Sequence, residues 1–103
     1  MVNCIELLDE KRINFVKFVG DMITEEAIPN RDVIYKKFSE LKDIPIERFI
    51  LWTTHTLKGH AEDLDAYINS ILEPNGFTID KLKEENQIKI KRYLNCFLEL
   101  VNI

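Results

Sequence analysis

The residues best suited to chemistry are two histidines, His55 and His60, and two cysteines, Cys4 and Cys96. His55 keeps unusual company: Leu51 and Trp52 precede it by four and three positions, and Lys58 and Gly59 follow it by three and four. A solvent-facing imidazole, with an ordinary pKa of about 6.5, is largely neutral at pH 7 and can act as a nucleophile toward phosphorus. An ammonium three residues on can balance the negative charge of an attached phosphoryl group, and a glycine beside it leaves the surface open. A metal site does not fit. On one helix His55 and His60 point roughly 140° apart and Glu62 lies two turns from His55, so these groups cannot share an ion. His60 reads as a half-buried packing residue. Cys4 and Cys96 match no CxxC or zinc spacing and read as apolar fillers in a reducing compartment, with a disulfide between the terminal helices as the alternative.

These side chains need elements to position them, and the apolar positions repeat with a helical period along most of the chain. Residues 3–23 place Ile5, Leu8, Phe15, Val16, Val19, Met22 and Ile23 on one side. Pro29 interrupts that pattern, and Asn30 is suited to cap a second helix running to about Lys42, with Ile34, Phe38 and Leu41 inward and Val33 and Tyr35 at the margins. Asp43-Ile44-Pro45 marks the next start, with Asp43 a cap candidate. From Ile46 onward Ile50, Thr53, Leu57, Ala61, Leu64 and Ile68 share one face, which fits either one helix over 46–72 or a pair broken near Gly59 or Asp65. His55 falls about 180° from that face and should project into solvent. Trp52 sits outside the stripe and reads as packed at its flank, or as an interface residue. Glu73-Pro74-Asn75-Gly76 is a stop, and Thr78 can cap a last helix with Ile79, Leu82, Ile90, Tyr93, Leu94, Phe97 and Val101 inward, or two helices broken near Lys83–Gln87. The expected architecture is all-α, an up-down four- or five-helix bundle forming a single domain over 1–103.

The run Thr54-His55-Thr56-Leu57-Lys58-Gly59 resembles the motif of histidine-containing phosphotransfer (HPt) domains, His-x-Leu-Lys-Gly followed by small residues and Leu-Gly. His55, Leu57, Lys58, Gly59, Ala61 and Leu64 match, while His60 and Asp65 replace a small residue and the second glycine. The resemblance covers about a tenth of the chain. It implies that His55 is the phosphoacceptor, that Lys58 stabilises the phosphoryl group and that Gly59 gives a docking partner clearance. Leu51, Trp52, Gly59 and Glu62 are then the partner-facing residues. The partner would be a receiver domain, which brings its own magnesium, or a histidine kinase. The chain would be a phosphocarrier without a bound cofactor, not a stand-alone enzyme.

Composition sets bounds on these readings. The chain has 103 residues, 46% hydrophobic and 31% charged, so its core is thin and a deep substrate cavity is not expected. Fourteen Lys and Arg against 18 Asp and Glu give a net charge of -4, which argues against nucleic-acid and anionic-membrane binding driven by phosphate neutralisation. The lysines of 81–92 read as a solvated face. Charges from Glu6 to Arg12 break the first apolar stretch too early for an export signal or a membrane span, so a soluble, cytoplasmic protein is expected. A fainter likeness covers more of the chain: Phe15, Phe18, Asp21, Pro29, Tyr35 and Phe49, then Glu84-Glu85-Asn86 before Ile90, Lys91, Tyr93 and Leu94, resemble small helical proteins of nucleocytoplasmic large DNA viruses. That likeness implies a non-catalytic protein-protein interaction module, a viral structural or accessory protein that binds a protein partner or itself and is found in the virion.

Overall fold

The first helix ends where its sequence allows no glycine. In the computed structural model, which describes residues 4–101, α1 spans Cys4–Glu25 and Ala27 adopts a left-handed backbone with φ 52°. Ala27 N–H then donates to Thr24 O at 3.3 Å and Ile28 N–H to Ile23 O at 3.2 Å, the paired bonds of a Schellman motif, and Ile23 and Ile28 bury their side chains together. Leu8, Phe15, Val16, Val19, Met22 and Ile23 are buried as the period predicts, while the side chains of Cys4 and Ile5 lie outside the described residues.

Helix α2, Arg31–Asp43, buries Ile34, Phe38 and Leu41 and leaves Val33 and Tyr35 exposed. Asn30 occupies its cap position but makes no capping bond. Its backbone is left-handed, φ 55°, and its side-chain amide donates to Asn75 instead. The next helix, α3, spans Ile46–His55 and has Pro45 rather than Asp43 at its cap, because Asp43 still belongs to α2.

Arg12 joins these three helices. It lies on the buried side of α1, one turn after Leu8, and is only 4% exposed. Its Nη1 donates to Leu41 O at 2.6 Å and Ile44 O at 2.9 Å, its Nη2 to Asp9 at 2.5 Å, and its guanidinium lies 4.9 Å from the centre of the Phe49 ring. A cation at the carbonyl end of a helix is favourably placed, and the ring covers the face left without hydrogen bonds.

The stretch 46–72 is not one helix. Between α3 and α4, Leu64–Leu72, the chain takes one tight 3₁₀ turn, Leu57–His60, and a bend over 61–63. Thr53 and Thr54 both donate their hydroxyls back to carbonyls one turn earlier, at 3.0 Å to Phe49 O and Ile50 O, a bonding that bends helices. With Thr56 they make three β-branched residues in four positions. Asp63 then starts α4 by accepting from Ala66 N–H at 3.1 Å. Thr53, Leu57, Leu64 and Ile68 are buried as expected, but Ala61 is exposed because it lies in the bend.

Gly76, φ 79°, closes the turn after α4 in the left-handed region that favours glycine. Thr78 does not cap the last helix. It precedes a short 3₁₀ turn, Ile79–Lys81, and its hydroxyl bonds to Asp80. Helix α5, Glu84–Val101, is instead started by Glu26 at the far end of α1, whose carboxylate accepts from Lys83 N–H at 2.6 Å and from the Asn86 amide at 3.0 Å. Beside it Lys83 and Glu25 pair at 2.6 Å; this hydrogen bond and charge hold the Glu25 carboxyl below its ordinary pKa and the Lys83 ammonium above its own.

The result is an all-α bundle of five α-helices with no strand among the described residues. α1 packs on α2 and α5, α3 lies across α5, and α4 touches both α2 and α5. Among the described residues no helix is long and apolar enough to cross a membrane. Two substitutions test the joints. Arg12→Ala should lower stability by about 3 kcal/mol, because it strips a charged donor from two carbonyls, whereas Asp9→Asn, at a half-exposed partner, should cost under about 1 kcal/mol. Urea midpoints measure both. Ala27→Gly should raise stability by about 1 kcal/mol by removing the cost of a left-handed alanine.

Candidate functional site

His55 is the last residue of α3, not the middle of a long helix. Thr56 N–H closes α3 by donating to Trp52 O at 2.8 Å, and the chain then tightens into Leu57–His60. In a 3₁₀ turn residues three apart eclipse one another, so the fully buried Leu57 and the half-buried His60 face inward together. Lys58 and Gly59 between them are exposed, and so is His55 at the end of α3. A Cβ built on Gly59 would meet nothing within 4 Å, so the surface there is open.

The residues singled out from the sequence divide into two groups. Leu51, His55, Lys58, Gly59 and Glu62 are all exposed, with Leu51 at 55% one turn before His55 on the same side of α3. Trp52 is half-buried at the flank: its indole stacks on Phe49 at 5.6 Å and meets Tyr67 edge-on at 5.9 Å. Glu62 lies in the bend after the 3₁₀ turn, not on the helix that carries His55. Asp65, in place of the second glycine of the motif, forms an ion pair with Lys91 of α5 at 3.3 Å. Cys96 is a free, half-buried thiol on α5; the pairing of Cys4 lies outside the described residues.

Sequence reasoning did not single out Tyr67. It packs between Trp52 and the His60 ring, 5.7 Å away, and closes the floor beneath the exposed patch. Burial pushes its phenol well above the ordinary pKa of 10. Its position beside Ile68 in an apolar run was the only signal, and that signal does not separate a core tyrosine from a surface one.

Two measurements follow from this arrangement. Diethyl pyrocarbonate should modify His55 several times faster than His60, read by mass spectrometry of the digested chain. The native Tyr67 phenol should remain protonated at pH 11. Above pH 10 the unfolded chain ionises first, so stability falls as pH rises and Tyr67→Phe should flatten that fall in alkaline urea titrations.

Comparison with family models, with curated proteins and with solved structures gave no match to the chain.

Proposed function

We propose that the chain is a histidine phosphocarrier that relays a phosphoryl group between aspartates of receiver domains, or accepts it from a histidine kinase, through His55. The observation that carries this reading is an exposed imidazole at the end of α3, four residues before a glycine at which an added Cβ would meet nothing within 4 Å. The unprotonated ring nitrogen attacks the phosphorus of an aspartyl phosphate; an N–P bond forms, the acyl P–O bond breaks, and its electron pair leaves with the carboxylate. The other ring nitrogen keeps its proton. Transfer onward reverses these steps on a second carboxylate.

The place of His55 at the end of α3 bears on direction. A phosphoryl group there faces the negative end of the helix dipole, which disfavours the phosphorylated form and promotes transfer onward. Lys58 supplies the opposing positive charge. Leu51 and Gly59 give a receiver domain an apolar, unobstructed contact, which two acidic proteins need because net charge does not steer them together. The half-buried free thiol of Cys96 suits a reducing, cytoplasmic setting.

A second reading rests on Leu51. A leucine 55% exposed beside the half-buried Trp52 also suits a non-catalytic interaction module, a viral structural or accessory protein among others, that associates through this face and covers His55.

The test uses receiver domains charged with radiolabelled acetyl phosphate and magnesium. Label should pass to the chain in an acid-labile form, persist in His60→Gln and vanish in His55→Gln. Lys58→Ala should slow transfer roughly tenfold. A wild-type chain left unlabelled by a broad panel of receiver domains, or label surviving His55→Gln, rejects the proposal. A stable oligomer whose assembly protects His55 from diethyl pyrocarbonate supports the second reading.

A further inference from the structure

A groove of about 1050 Å³ runs between α1 and α5, and no residue of α3 or of the 3₁₀ turn after it contributes to its walls. Its apolar base includes Phe18 of α1 and Tyr93 of α5, whose rings lie 5.4 Å apart, together with Cys96. Ile88, 46% exposed, stands on its wall. Along α5 the lining extends from Ile88 to Glu99, which at 1.5 Å per residue is roughly 16 Å, or three turns of a docked helix.

The charge of this groove is opposite to that of the chain. It holds four of the 14 cations, Lys11, Lys89, Lys91 and Arg92, but only one of the 18 carboxylates, Glu99. Lys91 is engaged by Asp65, whereas Lys11, Lys89 and Arg92 make no ion pair among the described residues. The cations that read in sequence as a solvated face of the last helix thus converge with a lysine of the first helix around an apolar base.

We infer that this groove docks an acidic amphipathic helix of a partner protein. An apolar stripe on such a helix covers Phe18, Tyr93 and Ile88, while its carboxylates meet the unpaired cations. A second copy does not suit the groove, because symmetric self-pairing would set its cations against one another. A nucleic acid would gain little from the apolar base and would be repelled by the net charge of -4. The inference is independent of the His55 reading, since the two use separate residues.

The probe is a fluorescein-labelled 18-residue helical peptide with leucine on one face and glutamate elsewhere, compared with its lysine counterpart and with a 20-nucleotide oligothymidine. The glutamate peptide should bind at 0.1 M salt and shift the amide resonances of Ile88, Arg92 and Cys96. Lys89→Glu combined with Arg92→Glu should weaken binding at least roughly tenfold with an unchanged urea midpoint, since both side chains are exposed. Ile88→Ser should weaken it through the apolar contact alone. The proposal is overturned if the glutamate peptide does not bind, if the lysine peptide or oligothymidine binds as well, or if the shifts map elsewhere. Concentration-dependent shifts at these residues without peptide would assign the groove to a second copy and overturn it as well.

Discussion

The structure depends on a buried arginine. Water hydrates a guanidinium strongly, so Arg12 can stay inside only where the fold replaces that hydration. The replacement comes from the Leu41 carbonyl in the last turn of α2, the carbonyl of Ile44, the carboxylate of Asp9 and the face of Phe49. One side chain of α1 therefore fixes both where α2 ends and where the first turn of α3 begins. The heading of α3, and with it the position of His55 ten residues later, follows from that joint.

Beyond Arg12 the helices are locked by aromatic rings packed mainly edge to face. Phe15 meets Phe38 of α2 at 5.6 Å and Phe97 of α5 at 5.5 Å, and Phe97 meets Phe49 of α3 at 5.1 Å, all near perpendicular. The series continues through Trp52 and Tyr67 to His60, just under the exposed patch. Edge-to-face pairs have preferred geometry, so this series sets distances between helices as well as excluding water. The helix that ends at His55 is tied into this series through Phe49 and Trp52.

Periodicity made the inward faces legible. In α1 every described residue assigned to the stripe is buried, because a helix can hide only one side. Arg12 lies on that same side but was hidden by its charge, which in sequence reads as solvent-facing. The exposure of His55 was legible from its angle alone, yet the end of the helix beside it was not. Leu57, Leu64 and Ile68 are each buried by their own element on either side of the break, so the stripe reads as continuous in sequence although Ala61 between them is exposed. The local chemistry carried the missing information, in the threonines at 53, 54 and 56 and in Asp63. Other features depend on pairs of distant segments and have no local signature. The start of α5 by Glu26 is one, and the meeting of Lys11 with the cations of α5 is another.

That distant start for α5 bears on the order in which the molecule assembles. The first amides of α5 bond to Lys83 O next door, but the Lys83 amide itself draws on a carboxylate 57 residues upstream. Closing so long a loop costs entropy before the contact returns anything, so the first turn of α5 is settled only once α1 has been completed and has turned the corner at Ala27. During synthesis the N-terminal helices leave the ribosome first and wait for their last partner. The apolar side of α1 that α5 later covers stays uncovered until residues 84–101 emerge. A lesion at Glu26 would slow the docking of α5 and, by leaving the buried Asn86 amide without its acceptor, would weaken the finished protein as well.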